Sequence, residues 1–339
     1  MKRNPIALTG LAVTEVAFGG ASIGNLWVEV SDDDAAAAVA AAWDGGIRYF
    51  DTAPHYGLGL SERRLGTTLG HYPRDQFVLS TKVGRLLVRN DPGSPDVGDD
   101  MATGFAVPAT SRRVWDFSRD GVRRSIDDSL TRLGLDHVDI AFLHDPDDHW
   151  EQAVSTGFPA LAELRDEGVV RAIGAGMNQW QMLAAFVQET DMDVVMLAGR
   201  YTLLDQSALD TLLPLCVERG VAVVNVAVFN SGLLSKPDPQ RGMRYNYGDA
   251  PADLVDRAIA MAAICRRHGV TLPVCAFQFG SAHPAVVSTG MGAGTAERVR
   301  ANLEMFNTPV PDDVWAELVS EGFLRPDAPT PSRQHVGQA

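Results

Sequence analysis

The sequence predicts a single (β/α)₈ barrel of the α/β class, and three observations carry that prediction. Amphipathic stretches repeatedly end at glycine and pass directly into a short β-branched run, as in AAWDGGIRYFDT, LRDEGVVRAIGAG and VERGVAVVNVAV. Glycine accepts the left-handed conformation that ends a helix, and an unbroken Val/Ile run reads as a strand covered on both faces, so each junction is the helix-to-strand half of a parallel unit. Eight such strand candidates alternate with helical stretches along the chain. No Pro/Gly-rich linker or shift in composition divides it, and 339 residues, 45% of them hydrophobic, fit one barrel with insertions.

Taken in order, residues 6–14, centred on Thr9-Gly10, read as a small N-terminal β-hairpin. Strands are expected over 16–20, 47–51, 77–81, 138–143, 169–174, 194–197, 221–226 and 286–289. Ser31 before three aspartates and Ser118 before Arg119-Asp120 supply helix caps, with acid at the positive end of the first helix dipole. Val122, Ile126, Leu130 and Leu133 make one apolar stripe that Gly134 closes. The segment from Gly84 to Phe117 shows neither period. Because it follows the third strand, it belongs at the C-terminal mouth, where active sites of such barrels lie, and is expected to be a long substrate loop. The barrel domain is expected over residues 1–324, followed by a C-terminal tail, 325–339, rich in Pro, Ser and Gln, that is either mobile or docked.

The formal charge is −14, with the acid scattered through the helices, so the summed field repels nucleic acid and anionic membranes and points to a small-molecule partner. No apolar run reaches the length of a membrane span, and the start MKRNPIALTG has no apolar stretch behind its basic residues. A soluble, cytoplasmic protein is expected. Cys216, Cys265 and Cys275 are odd in number and widely spaced, which suits buried thiols better than disulfides or a zinc site.

Four polar residues stand at or just beyond the ends of consecutive strands: Asp51 with nearby Tyr56, then Lys82, then His144. Consecutive strands are neighbours in a barrel. A lysine held near a tyrosine, with a carboxylate close by, eases ionisation of the phenol and lets it exchange a proton. The segments GIRYFDTAPHYGLGLSERRLG, FVLSTKVGR, SLTRLGLDHVDIAFLHDPD and VVRAIGAGMN resemble the aldo-keto reductase family over almost the whole chain. The resemblance implies that Asp51, Tyr56, Lys82 and His144 form the catalytic tetrad, with Tyr56 as proton donor or acceptor, Lys82 lowering its pKa, and His144 orienting the substrate oxygen. Within the family, STKVGRLL, the long loop, HDPDDH and IGAGMNQW are most similar to the branch that oxidises L-fucose or D-threo-aldoses at C1 to the lactone. A related branch oxidises pyridoxal at C4.

The resemblance also implies a nicotinamide dinucleotide, NAD(P), extended across the mouth. Its contacts would be Gly20, Ala21, Asp51, Asn178, the pyrophosphate loop with Phe229, Asn230, Ser231, Gly232 and Leu234, and the adenosine residues Arg298 and Asn302. Met177 stands where the family places Ser, and Val226 or a neighbour where it places the stacking aromatic. The basic residue usual after the eighth strand is missing at Gly292–Gly294, which favours NAD over NADP. Trp27, His55 and Trp115 are the candidate substrate contacts. The glycines near 174 and 290 do not complete a dinucleotide fingerprint and are expected to allow cofactor close to the backbone. His144, Asp145, Asp147 and His149 have no metal-site spacing, so no metal is expected. The competing functions are a pyridoxal 4-dehydrogenase, a general carbonyl or aldehyde reductase, and a non-enzymatic nucleotide-sensing channel subunit.

Overall fold

The structure is a computed structural model that describes residues 1–6, 8–90 and 98–331. Eight parallel strands close into a barrel in sequential order: β1 (Val16–Gly19), β2 (Tyr49–Asp51), β3 (Val78–Val83), β4 (Ile140–His144), β5 (Ala172–Met177), β6 (Val194–Ala198), β7 (Ala222–Val226) and β8 (Val286–Gly292). β8 pairs back onto β1. All eight expected strands are present, but β3, β5 and β8 run further at their C-terminal ends than the Val/Ile runs indicate. Parallel pairing carries them on: Lys82 is in register with Phe142, and Met177 with Leu197. Val169 and Val170, read as the start of a strand, instead bond back to the carbonyl of Leu164 at the helix exit. Lys82 and His144 are therefore inside the ends of β3 and β4, rigid strand positions rather than loop ones.

The junction glycines do what their positions predict: Gly46, Gly168 and Gly220 all have positive φ. Ser31 caps helix Asp32–Asp44 and Ser118 caps helix Arg119–Leu133, each hydroxyl accepting an amide three residues on. The stripe of the second helix is buried at Val122, Ile126 and Leu133. At the N-terminal end, Arg3–Ile6 pairs with Leu11–Thr14. Ile6, Leu11 and Val13 of this hairpin pack under Tyr49, Ile140, Phe142, Val194, Met196 and Val224, which fill the barrel interior. Each fully buried aliphatic contributes about 1.5–3 kcal/mol, so the bottom is sealed and only the C-terminal end is open to ligands.

The segment from Gly84 to Phe117 departs from the expected structureless loop. Strand Arg85–Arg89 pairs with Ser111–Trp115, and Asp99–Asp100 pairs with Phe105–Pro108; Asp91-Pro92-Gly93 lies outside the described residues. Phe105 and Val107 bury against Leu58, beside Tyr56 and Leu26. The Trp27 N–H donates to Gly104 O (2.7 Å) and the Ala106 N–H to Asn25 O (2.9 Å), fastening the insertion across the mouth. Cross-strand pairing, not a hydrophobic run, makes this layer, and arginines at 85, 89, 112 and 113 hide its period.

Of the tail, residues 325–331 lie against the barrel. The Arg325 N–H donates to Gln206 Oε1 (2.9 Å), its guanidinium pairs with Asp210 and Asp327, and Ala328 is buried. Residues 332–339 are outside the described ones. All three cysteines are buried and free. Among the described residues no helix is long and apolar enough to cross a membrane.

Candidate active site

At the open end, Lys82 Nζ donates to Asp51 Oδ2 (2.6 Å) and to Thr52 O (3.1 Å). Ser80 Oγ donates to the other carboxylate oxygen (2.7 Å) and lies 3.1 Å from the Tyr49 hydroxyl. Asp51, at the end of β2, is thus clamped on both oxygens by side chains from β3. Tyr56 stands on the turn that follows β2, its ring centroid 4.7 Å from Lys82 Nζ. That turn is tight: a Cβ on Gly57 would fall 2.2 Å from Gly24 O, so glycine is required there and the Tyr56 backbone rests on Gly24. The His144 ring is 6.0 Å from that of Tyr56 and 5.5 Å from that of His55. The structure thus brings together all four residues of the expected tetrad.

Their electrostatics follow from burial and the shared cation. Burial would depress the Lys82 ammonium pKa, but Asp51 and Tyr56 outweigh it and hold the pKa above its ordinary value. Burial pushes the Tyr56 phenol up to about 12, with Lys82 working against it. Lys82 therefore acts in the expected direction without setting the net shift, because the dry site disfavours phenolate more than the ammonium favours it. Burial, reinforced by Arg85 and Lys82, holds His144 well below its ordinary value, so the ring is neutral; its Nδ1 is buried with no partner among the described residues. His55 is lowered to about 2, by burial and then by Arg85 and Arg113.

Stability should therefore decline in acid. The unfolded chain protonates both histidines near pH 6.5 while the folded one does not, so it binds more protons below that value. Each histidine contributes a slope of up to about 1.4 kcal/mol per pH unit. Calorimetry from about pH 7.5 to 5 is expected to show a falling Tm, and a level Tm would contradict neutral burial.

Beside His144 opens a cavity of about 380 Å³ lined by Arg85, Trp115, Asp145, Asp147, Asp148, His149, Asn178 and Gln179. Trp115 stacks on His149 at 6.2 Å, and Arg85 pairs with Asp145 while lying over the Trp115 ring. Trp115 thus joins the site, whereas Trp27 sits under the Arg244 guanidinium, 3.8 Å away, at the edge of the mouth. Arg244 belongs to a short ribbon, Arg244–Tyr245 with Gly248–Asp249, turned by Asn246 and Tyr247, both at positive φ. The ribbon is tied down by the Tyr247 N–H to Ser231 Oγ (2.9 Å) and by Arg200 to Asn246 (2.9 Å).

The positions expected to hold a dinucleotide stand at or beyond the C-terminal ends of β1, β2, β5, β7 and β8. Asn178 Nδ2 donates to Ala198 O (3.0 Å), and the same side chain hydrogen-bonds the Tyr247 phenol. Asn230 Nδ2 donates to Gly199 O (3.2 Å), and its Oδ1 is a buried acceptor with no partner among the described residues. Within 229–234, the amides of Asn230, Gly232, Leu233 and Leu234 close turns on carbonyls of Ala227, Phe229 and Asn230. The expected amide cradle is therefore narrower than the motif implies and centres on Ser231. Arg298 is exposed near the start of helix Ala296–Asn307, with no carboxylate partner among the described residues, and Asn302 is half-buried one turn on. These features fit a dinucleotide.

The expected role of the glycines is corrected. A Cβ on Gly174 would meet Val194 O at 1.6 Å, one on Gly290 would meet Val226 Cγ1 at 2.7 Å, and one on Gly20 would meet Ser61 Oγ at 2.4 Å. These glycines admit neighbouring protein atoms, so for Gly20 only the backbone is left to face a cofactor; Ala21 beside it is half-buried. The sequence placed the segment from Gly84 to Phe117 at the mouth without singling out Arg85, Asp100 or Arg113, weighed Asp145 and His149 only as metal ligands, and gave no sign of Tyr247. The adjacency of HDPDDH to the fourth strand was the one local signal for Asp145 and His149.

A closed parallel barrel with a Lys–Asp pair beside a tyrosine and a neutral histidine at its C-terminal mouth is the architecture of a nicotinamide-dependent oxidoreductase. The aldo/keto reductase family profile matches residues 15–321, and the chain belongs to that family, whose members use NAD(P)H. It is 47% identical to a D-threo-aldose 1-dehydrogenase of a Pseudomonas species over 96% of this chain and 98% of that one. It is 40% identical to the pyridoxal 4-dehydrogenase of Microbacterium luteolum over 95% and 98%, and 32% identical to the L-galactose dehydrogenase of Arabidopsis thaliana over 87% and 85%. Among solved structures, an aldo-keto reductase from Bacillus halodurans in its holo form superposes with a TM-score of 0.74 at 25% identity, covering 99% of each chain.

Proposed function

We propose that the protein oxidises the cyclic form of an aldose, of the L-fucose or D-threo-aldose type, at C1 to its lactone, with Asp51, Tyr56, Lys82 and His144 as the catalytic group. The observation that carries this reading is the cavity beside His144, where an aromatic wall of Trp115 and His149 faces five side chains able to bind hydroxyls: Asp145, Asp147, Asp148, Asn178 and Gln179. Aromatic faces with a ring of acceptors and amides suit a neutral polyol. The sugar specificity named for two of the relatives supports the same class.

The bound cofactor supplies the acceptor for the C1 hydride. The protein does the rest. Tyr56 takes the proton of the anomeric hydroxyl as the C1–O bond becomes a carbonyl, Lys82 offsets the developing phenolate charge, and neutral His144 holds the same oxygen by a hydrogen bond. Asp51 holds Lys82 in place. Gly20, Ala21, Asn178, the loop 229–234, Arg298 and Asn302 are the residues that would hold the cofactor.

NAD is the preferred cofactor. A 2′-phosphate needs convergent cations, and the positions directly after β8 are glycines whose Cβ sites are filled by Ser22 and Val30, so Gly292 and Gly294 offer none. The ratio of KM values for NADP⁺ and NAD⁺ should exceed about tenfold, and a ratio below one would reverse this assignment.

Pyridoxal is the second reading, favoured by the 40% identical relative and by an aromatic wall that also suits a pyridine ring. A panel of L-fucose, D-arabinose, L-galactose and pyridoxal, followed by absorbance of the reduced cofactor, separates the two. Turnover of sugars supports the proposal; turnover of pyridoxal alone replaces it. Sugar phosphates should be poor substrates, because three aspartates line the cavity.

A further inference from the structure

The insertion after β3 reaches the site through one side chain. Arg113, on strand Ser111–Trp115, donates from Nε to His55 Nδ1 (2.5 Å) and from Nη2 to His55 O (3.0 Å). Its other edge is held by Asp100, which accepts from Nη1 (2.8 Å) and Nη2 (2.5 Å). Both side chains of this ion pair are more than nine-tenths buried, at 7% and 8% exposed. Phe105, from the same insertion, stands edge-on to the His55 ring at 5.2 Å.

A guanidinium has no acceptor, so Arg113 can bond His55 Nδ1 only if that nitrogen carries no proton. A neutral imidazole then bears its hydrogen on Nε2, and a second proton is opposed by the cations facing it: Arg113 and Arg85 from the insertion and Lys82 from β3. No protein acceptor for that Nε2–H is found among the described residues. The ring lies 5.5 Å from His144 and 6.1 Å from Tyr56.

We propose that Asp100 and Arg113 are positioning residues that lock His55 as the Nε2–H tautomer, making it a second imidazole donor, beside His144, to a hydroxyl next to the reacting carbon. The inference rests on the aldose reading of the site. It also gives the insertion a purpose: it supplies the clamp that selects substrates bearing an oxygen adjacent to the hemiacetal carbon.

The test uses the full-length protein with Arg113→Met, Asp100→Asn and His55→Phe, with Tyr56→Phe as reference. Nitrogen-15 NMR of labelled histidine is expected to show, in the unaltered protein, His55 with Nδ1 unprotonated and Nε2 protonated between about pH 5 and 9. In Arg113→Met that preference should be lost. With an aldose, kcat/KM should fall by about 10- to 100-fold in each of the three variants, while cofactor affinity stays unchanged. The 2-deoxy sugar should lose the same factor with the unaltered protein and little further in His55→Phe. An Nδ1–H or doubly protonated His55 in the unaltered protein would overturn the proposal. So would equal losses for 2-deoxy and parent sugars in His55→Phe, or cofactor affinity falling in step with kcat/KM. If Tyr56→Phe keeps full turnover, the catalytic reading fails by itself, while the tautomer measurement still judges the clamp.

Discussion

Tyr56→Phe is expected to lower turnover by about 10²–10⁴-fold while leaving the dissociation constant for the cofactor nearly unchanged. In the proposed mechanism the phenol hydroxyl of Tyr56 takes the proton. Its ring sits over Lys82 Nζ at 4.7 Å, and the neutral His144 beside it has no charge change to offer at neutral pH. Because burial raises the phenol to about 12, Tyr56 is protonated at neutral pH. Oxidation needs the deprotonated form, so its rate should climb as pH rises through the alkaline range, whereas reduction, which uses the protonated form, should not. An oxidation rate that falls with rising pH would contradict Tyr56 as the base, as would a Phe variant with cofactor binding lost in proportion to turnover.

Lys82→Met should damage both folding and catalysis. The ammonium is 3% exposed, and its removal leaves Asp51 buried with only Ser80 on one oxygen. Breaking a buried pair on one side costs about 3–5 kcal/mol. Turnover should fall by at least about a hundredfold, since nothing then offsets the phenolate charge. Pairing the change with Asp51→Leu separates the effects: with no carboxylate stranded, most of the stability returns, because a packed apolar pair can replace a buried ion pair at little cost. Turnover should stay low. Recovery of turnover in the double variant would remove Lys82 from the chemistry.

The barrel, and the gathering of Asp51, Tyr56, Lys82 and His144 at its mouth, were legible because their signals are local. The β-branched runs behind glycines lead into strands, and Asp51, Lys82 and His144 sit at the ends of consecutive ones. What escaped is set by distance in the chain. Gly174 is glycine because the carbonyl of Val194 approaches it, and no pattern around residue 174 records that. Arg113 is one of several arginines in a segment without a period, and only the pairing of Arg85–Arg89 with Ser111–Trp115 puts it on His55. Tyr247 reaches the mouth because a two-residue turn aims it there, in a stretch whose strands are two residues long. The net shift at Tyr56 was likewise hidden, since it depends on how dry the pocket is rather than on which residues face it.

The measurement closest to the central claim follows one hydrogen. Incubation with NAD⁺ and an aldose deuterated at C1 is expected to yield the lactone together with reduced cofactor carrying the deuterium at C4, with a lower rate than for the unlabelled sugar. Reduced cofactor without deuterium, or no reduced cofactor with any sugar, would contradict direct hydride transfer from C1 and the aldose assignment with it.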